Sequence, residues 1–381
     1  MRSVVAALVV FALVPSAHAH HRQTPPIVAI TTAGDASLPR LAPASRKAAA
    51  VVVDATVAVV NPFRTPTVPA FSFTSGTNAN PSISSNGRIV AWDSDADPLG
   101  TGAPGRQIVE QNRFVLEQPV NDPTGTSANP ALDLTGFTVA FESTADLAST
   151  GNAGARQVFL RRIDGSIQQV SRGDGTSANA SIGLRSRTVA FESTSDAVTG
   201  DDTGVAQIWI AALAGGTAGP ITGGLGASTN PSLSNDGRLV VFESRADLAG
   251  DGHDTATPQI YVYDTVSKTF ARVTDDAGGC TGPTSARIKR DWRIGYVCGD
   301  QAYFTMLRAD TRYLVATDGG DTTRLVPQAD VHFVLVATTA DLAAGGTTTG
   351  HRVYMVNLFK RPPATVPSAV TWFPTRGIPP L

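Results

Sequence analysis

Residues 230–244 read Asn-Pro-Ser-Leu-Ser-Asn-Asp-Gly-Arg-Leu-Val-Val-Phe-Glu-Ser, and related stretches occur three times earlier in the chain. Their first residues are 49, 50 and 51 positions apart: Asn80, Asn129, Asn179 and Asn230. Twelve positions after each asparagine comes an aromatic residue: Trp92, Phe141, Phe191 or Phe242. Five positions later comes an aspartate: Asp97, Asp146, Asp196 or Asp247. Such a period indicates a supersecondary unit stacked on copies of itself, because one unit cannot bury its own apolar faces.

The last full unit predicts four short strands. Pro231–Ser234 is expected to be the first strand, and Asn235-Asp236-Gly237 a turn of residues that tolerate positive φ. The second, third and fourth strands are expected at residues 238–244, 259–263 and 271–274. Four antiparallel strands form one blade of a propeller, so the sequence predicts an all-β fold.

The third strands allow the blades to be counted. They begin at six similar stretches: Gln107-Ile-Val, Gln157-Val-Phe, Gln207-Ile-Trp, Gln259-Ile-Tyr, Gln301-Ala-Tyr and Arg352-Val-Tyr. The sixth unit has no recognisable fourth strand, whereas Ala70–Thr74 precedes the first unit and has the pattern of a fourth strand. We therefore expect six blades, with Ala70–Thr74 completing the sixth, because such a clasp would cover both exposed edges of the ring.

The repeated pattern of asparagine, small residues, Gly-Arg and Val-Ala-Phe-Glu-Ser resembles the TolB-like propeller repeat of secreted bacterial proteins, over about residues 70–358. The resemblance implies a six-bladed propeller of a kind shared by binding scaffolds and by gating domains of peptidases. TolB has an α/β domain ahead of its propeller, and the roughly fifty mature residues here are too few for that domain. The partners of TolB are therefore not carried over.

The start of the chain has the features of a signal peptide. Arg2 is followed by an apolar stretch, Val4–Val14, and by Ser16-Ala17-His18-Ala19, a small-residue cleavage site. We expect residues 1–19 to be this signal, 20–66 a linker or a docked strand, 67–360 the propeller and 361–381 a proline-rich tail. No stretch is long enough to span a bilayer, so the expected location is secreted or periplasmic.

The net charge of the chain limits the kinds of partner that we expect. The net charge of −2 predicts no attraction to nucleic acid or to an acidic membrane. We expect a monomer that binds another protein or a component of the cell envelope.

Two sets of acidic residues could hold a cation. One set follows the second-strand aromatics, and its recurrence in each blade favours a structural role, although ring symmetry could instead gather these carboxylates around Ca²⁺: Asp93, Glu142, Glu192 and Glu243. The other set lies in Gly-containing loops between second and third strands and is a weaker calcium candidate: Asp201, Asp202, Asp251 and Asp254. Neither set has the spacing of an EF-hand, and the sequence predicts no resident cofactor.

The fifth repeat departs from the pattern. Cys280 and Cys298, the only cysteines, flank a predicted strand-turn-strand, and in an exported chain they are expected to form a disulfide. Between them, a basic cluster around a tryptophan replaces the usual turn: Arg287, Lys289, Arg290, Trp292 and Arg293. This cluster is either a solvated hairpin or a contact site for an anionic partner.

The sequence contains no recognisable catalytic motif. It has no Gly-x-Ser-x-Gly elbow, no HExxH and no CxxC pair, and no glycine loop opens a helix. These observations favour a non-catalytic binding scaffold. The alternative is a metal-dependent hydrolase or lyase with its site at the axial channel, which would require polar side chains to converge there.

Overall fold

A computed structural model describes the chain in segments: residues 27–31, 36–41, 49–60, 71–102, 105–112, 115–120, 122, 124–151, 154–183, 187–196, 199–200, 202–215, 217–250, 252, 256–288, 291–308, 311–315, 321–327, 333–342, 347–358 and 364–366. Within these segments the regular structure is 29 strands in seven antiparallel sheets. The fold is an all-β propeller with seven blades. The predicted signal peptide, residues 1–19, lies outside the described segments.

The strands of the blades are as follows. Blade 1 contains β2 (Ala36–Leu41), β3 (Ala49–Val53), β4 (Thr56–Val60) and β5 (Phe71–Phe73). Blade 2 contains β6 (Asn78–Ile83), β7 (Ile89–Ser94), β8 (Gln107–Asn112) and β9 (Val115–Val120). Blade 3 contains β10 (Ser127–Leu132), β11 (Thr138–Ser143), β12 (Gln157–Arg162) and β13 (Ile167–Gln169). Blade 4 contains β14 (Ser177–Ile182), β15 (Thr188–Ser195), β16 (Asp202–Ala212) and β17 (Gly219–Pro220).

Blade 5 contains β18 (Ser228–Leu233), β19 (Leu239–Ser244), β20 (Gln259–Asp264) and β21 (Thr269–Arg272). Blade 6 contains β22 (Cys280–Ile288), β23 (Asp291–Cys298), β24 (Gln301–Met306) and β25 (Thr311–Leu314), and β29 (Ala364–Val366) pairs with β25 as a fifth strand. Blade 7 contains β26 (Thr322–Pro327), β27 (Phe333–Ala340), β28 (Thr347–Asn357) and β1 (Ile27–Ala29).

The predicted count of six blades is wrong, because blade 1 lacks the markers used for counting. Its second and third strands are joined by a two-residue turn, Asp54-Ala55, in which both residues have positive φ (46° and 63°). Blades 2 to 5 and blade 7 have a longer loop at this point, and blade 6, which also has a two-residue turn, was recognised by Gln301-Ala-Tyr. The stretch Val51–Val60 is therefore most of a hairpin made by β3 and β4.

The ring is closed by an N-terminal strand, but not by the predicted one. Phe71–Phe73, inside the predicted clasp Ala70–Thr74, pairs with β4 and is the fourth strand of blade 1. The clasp is β1, which pairs with β28 in blade 7 and places Ile27 opposite Val356. Just after β1, the backbone N–H of Ile30 donates to the carbonyl of Val353 over 2.8 Å.

The core is divided among the spaces between blades. Seven apolar clusters are found in the described residues, one between each pair of neighbouring blades, including blades 7 and 1. The recurrent second-strand aromatics fill these spaces and are fully buried: Trp92, Phe141, Phe191 and Phe242. Each blade therefore depends on its two neighbours for the cover of its faces.

The clasp can be tested with Ile30→Ala. Ile30 is buried against Val353 and Met355 of blade 7 and Val51 of blade 1, so the truncation should lower the free energy of unfolding by about 3 kcal/mol. Urea unfolding followed by tryptophan fluorescence would measure it. Ile163→Ala, at a side chain that is 65% exposed, is the control and should change stability little. Equal effects of the two substitutions would contradict closure at this strand.

Candidate functional site: the axial cavity

The recurrent asparagines lie at a bulge in the first strand of blades 2 to 5. The strand register shifts at this point in each blade, and all four asparagines have φ between 49° and 53°. Asparagine tolerates this left-handed conformation better than most residues, which explains its choice at the bulge. The bulge turns the amide side chain toward the second strand of its own blade and the backbone N–H toward the preceding blade.

These two donors link the blades through the recurrent carboxylates. Within blade 3, Asn129 Nδ2 donates to Glu142 Oε1 over 2.5 Å. From blade 4, the backbone N–H of Asn179 donates to Glu142 Oε2 over 3.1 Å. The same pair of bonds joins Asp93 to Asn80 and Asn129 (2.8 and 2.9 Å). It also joins Glu192 to Asn179 and Asn230 (2.9 and 2.7 Å).

This series of hydrogen bonds from blade to blade ends at Glu243 in blade 5. Asn230 Nδ2 donates to Glu243 Oε1 over 3.0 Å, and the next donor is the backbone N–H of Gly282 in blade 6, which also reaches Oε1 (2.8 Å). In the described part of the chain, Glu243 Oε2 therefore receives no hydrogen bond. Blade 6 has Val297 where the earlier blades have an acid, so the pattern does not continue.

The carboxylates differ in their counter-ions. Arg106 pairs with Asp93, and Arg156 pairs with Glu142 over 2.7 Å. The corresponding positions before the third strands of blades 4 and 5 are Ala206 and Pro258. Burial raises the pKa of Glu192 and that of Glu243, and the carboxylate of the preceding blade adds to the rise. Their hydrogen bonds, and for Glu243 the charge of Arg245, act in the opposite direction.

The four recurrent asparagines and Glu243 border a cavity of about 590 Å³. Its walls are the first strands of blades 2 to 7, which contact each other from blade to blade and are thus the innermost strands. Beside the four asparagines, the polar lining includes Ser82, Glu243 and Arg324. Ser82 Oγ accepts the backbone N–H of Leu132 in the next blade over 3.0 Å, so hydroxyl groups of the lining also connect blades.

The loop aspartates between second and third strands organise their own loops. Asp97 accepts the N–H groups of Thr101 and Gly102 (2.8 and 2.6 Å), and these bonds hold its pKa below the usual range. Of the predicted calcium candidates, Asp202 accepts the N–H of Gly204 over 2.9 Å and lies in β16. Asp201, Asp251 and Asp254 lie outside the described residues. The calcium site at these loops therefore stays a prediction.

The disulfide between Cys280 and Cys298 is present and joins the paired strands β22 and β23, with Cα atoms 4.2 Å apart. In the described segments, the one group of three potential metal ligands is these two cysteines with Asp276. Since the two sulfur atoms are bonded to each other, they are not available as thiolate ligands.

Two residues of the predicted basic contact site, Trp292 and Arg293, lie in the core. Trp292 is 2% exposed and packs between blades 5 and 6, and Arg293 is 4% exposed, with its guanidinium 5.2 Å from the centre of the Phe304 ring. Arg287 lies in β22 opposite Trp292. Lys289 and Arg290 lie outside the described residues. A partner contact by the hairpin stays a prediction.

Sequence reasoning missed Gly282 and Arg324. Gly282 (φ 64°) occupies the asparagine position of blade 6, and Arg324 lies at the bulge of blade 7. The signal that could have found them is the disulfide: Cys280 and Cys298 pair as Ser228 and Ser244 do in blade 5, which aligns Gly282 with Asn230.

A second buried acid lies away from the cavity, between blades 2 and 3. Glu110 is 7% exposed, and Arg161 Nη1 lies 3.8 Å from its Oε2, which accepts no hydrogen bond from the described residues. Burial raises the pKa of Glu110 to about 7; the charge of Arg161 opposes the rise, and that of Glu117 adds to it. The folded ring therefore favours the protonated form of this side chain.

Comparisons with known proteins agree on the propeller. No protein-family model matches the sequence, and no curated protein matches it. The propeller domain of the Trilobed protease from Pyrococcus furiosus is similar in structure, with 10% identity over 86% of this chain and 94% of that chain and a TM-score of 0.58. An oligogalacturonate lyase from Vibrio parahaemolyticus has 10% identity, covers 82% of this chain and 86% of its own, and has a TM-score of 0.56.

TolB from Acinetobacter baumannii is also among the structural neighbours, with 13% identity and a TM-score of 0.44. That match covers 86% of this chain, which spans 62% of the TolB chain. At these identities the likeness shows a shared fold and does not determine a function. Among the described residues, no helix is both long enough and apolar enough to cross a membrane.

The hydrogen bonds of the recurrent carboxylates predict that Glu142→Gln and Glu243→Gln lower the free energy of unfolding by different amounts. In Glu142 both oxygens accept bonds, so an amide nitrogen at either position would face a donor and leave it unsatisfied. In Glu243 both bonds reach Oε1, which glutamine retains. We expect Glu142→Gln to lower the free energy of unfolding by about 2 kcal/mol more than Glu243→Gln, as measured by urea unfolding. Equal losses would show that the bonds do not hold the blades together.

The pKa of Glu110 predicts a pH dependence of stability. The carboxyl titrates near 4.5 when unfolded and near 7 when folded, so between these values the folded state binds more protons and its stability falls as the pH rises. The loss of stability should be complete above the pKa that Glu110 has in the folded state and should amount to at most about 3 kcal/mol. Glu110→Gln should flatten unfolding curves between pH 5 and 8, whereas Glu117→Gln, on the paired strand, should leave most of the slope. An unchanged slope in Glu110→Gln would contradict this assignment.

Proposed function

We propose that the protein is an exported, non-catalytic binding propeller that acts as a monomer on another protein or a component of the cell envelope. The observation that supports it best is the use of the recurrent acids. Asp93, Glu142 and Glu192 each accept one bond from their own blade and one from the next. Carboxylates engaged in this way join blades and are poorly placed to act as a common set of ligands for a catalytic ion.

Export is supported by the disulfide in blade 6, because such bonds persist in oxidising compartments and are rare in reducing ones. The net charge of −2 argues for a partner other than nucleic acid. A cavity lined by several polar side chains, on a rigid ring whose loops can vary, is a suitable frame for binding.

The alternative is a metal-dependent hydrolase or lyase acting at the axial cavity. Its support is that a lyase and a protease propeller are among the structural neighbours with TM-scores above 0.5. At 10% sequence identity, similarity to these two structures indicates a shared fold and not a shared function, so this alternative ranks second.

Thermal unfolding with added metal separates the two functions. An ion that binds only the native state must raise the melting temperature by an amount set by RT ln(1 + [L]/Kd). We expect no shift with Ca²⁺, Mn²⁺ or Zn²⁺ at about millimolar concentration, compared with an equal ionic strength of sodium chloride. A rise of several degrees that a chelator reverses would refute the non-catalytic function and place the metal-dependent enzyme first. Asp202→Asn would then test whether the ion is bound at the loops or at the cavity.

A further inference from the structure

The outer edge of blade 6 is paired with a strand that the blade itself does not need. In the described residues six of the seven sheets have four strands, and blade 6 has a fifth, β29, on the free edge of β25. The two strands are antiparallel, with Tyr313 opposite Thr365. Since the ring is closed by β1, this extra strand is not part of the closure and serves only the edge that it covers.

The position of β29 in the sequence suits a different edge. In blades 1 to 6 the fourth strand is the next strand along the chain after the third, whereas in blade 7 the fourth strand is β1. β29 begins seven positions after the end of β28, and in blade 4 the fourth strand, β17, likewise begins seven positions after the end of β16. The C-terminal strand thus has the spacing of a fourth strand of blade 7 and, because β1 occupies that edge, pairs with blade 6 instead.

The backbone of β25 shows which of its groups face outward. The N–H of Val315, just after β25, donates to the carbonyl of Ala302 in β24 over 2.9 Å. Because the N–H groups of successive residues in a strand point to opposite edges, those of Arg312 and Leu314 face away from β24. Two residues of β25 therefore offer both an N–H and a carbonyl to a strand on the outside.

The ladder that β29 forms with these groups is short. β29 contributes two donors, the N–H groups of Ala364 and Val366, because these residues lie opposite the outward-facing residues of β25. The N–H of Thr365, between them, faces away. Pro363 and Pro367 flank β29 in the sequence and have no N–H to donate, so they limit the ladder to three residues. An extended segment without such prolines can form a longer ladder and replace β29.

The side chains of β25 do not guard its edge. The strand reads Thr-Arg-Tyr-Leu and contains no proline, lysine or acid, whereas β9, the outer strand of blade 2, contains Glu117 and Pro119. The guanidinium of Arg312 lies 4.0 Å from the centre of the Tyr303 ring, and its Nη2 lies 3.5 Å from Cys298 Sγ. Since these two partners belong to β24 and β23, the charge lies over the inner part of the sheet and leaves the edge to uncharged groups.

We propose that the outer edge of β25 is the docking site for an extended, uncharged and proline-free segment of another exported protein, which adds to blade 6 as a fifth strand after displacing β29. The main-chain ladder supplies the affinity, and an edge without charge favours small and β-branched residues of the types found in β29. β29 is then an inhibitory strand held in the same chain. The proposal deepens the proposed binding function by naming its surface, and it rests on that function for the exported partner.

The test is fluorescence anisotropy of the full mature protein with a fluorescein-labelled peptide, Thr-Thr-Ala-Thr-Val-Thr-Ser-Ala, which is residues 362–369 with threonine in place of each proline. We expect this peptide to bind. The same peptide with methyl groups on its alanine and valine nitrogen atoms on the valine and first alanine should bind at least about tenfold more weakly, because both donors that face β25 are lost. In the complex, hydrogen exchange should show that residues 364–366 lose protection while residues 311–315 keep it.

Two single substitutions in β29 locate the site. Val366→Pro removes a donor that faces β25, so it should free the edge and raise the affinity for the peptide at least about tenfold. Thr365→Pro is the matched control, because the N–H that it removes faces away from β25, and it should leave the affinity within about twofold of that of the unmodified protein. Both variants should keep the melting temperature close to that of the unmodified protein, since the four strands of blade 6 and the clasp β1 are unchanged.

The proposal is overturned if the folded protein does not bind the peptide, if the methylated peptide binds equally well, if residues 364–366 stay protected in the complex, or if folded Val366→Pro binds no more tightly than Thr365→Pro. A strand that only shields the edge against aggregation would give the first of these results. Absence of peptide binding would leave the proposed non-catalytic function standing, because that function fails by a different readout, the chelator-reversible rise in melting temperature.

Discussion

The structure depends on the burial of each blade face against a neighbour. A four-stranded sheet with two apolar faces cannot form a core alone, and here each of the seven interfaces contains its own apolar cluster. Burial is non-directional, so it holds the blades together without fixing how far each one slides along the axis. The directional part is supplied by hydrogen bonds that cross from blade to blade near the cavity.

A single asparagine at the bulge donates two directional hydrogen bonds. One residue in the left-handed conformation presents its side-chain amide to the carboxylate of its own blade and its backbone N–H to the carboxylate of the previous blade. Each carboxylate thus accepts one bond from its own blade and one from the next. The cost of burying the carboxylate is offset by at least two donors, and in blades 2 and 3 also by an arginine. The residues that the repeat preserves are therefore explained by the fit between blades, with no need for a ligand.

The sequence predicted blades 2 to 5 well because their markers are the residues that join blades. The same reliance on markers made it miss blade 1, whose third strand, Thr56–Val60, has no aromatic residue, and whose second strand ends in Val52 and Val53 rather than an acid and serine. Without blade 1, Phe71–Phe73 had no blade of its own and was assigned to closure. The true clasp, β1, is three residues long, and no periodicity can be recognised in so short a strand.

The candidate site could be predicted only in part, for a related reason. The acids were visible as a set, but whether they face one point or bridge pairs of blades depends on the bulge, which is a feature of backbone conformation. The end of the series of bonds at Glu243 could not be read from its own sequence context, which is nearly that of Glu142 and Glu192. It follows from blade 6, where Gly282 keeps the backbone N–H that bonds Glu243 but has no side-chain amide, and where Val297 replaces the acid. In a ring built from repeats, the bonds that one residue makes are therefore fixed by what the neighbouring repeat supplies.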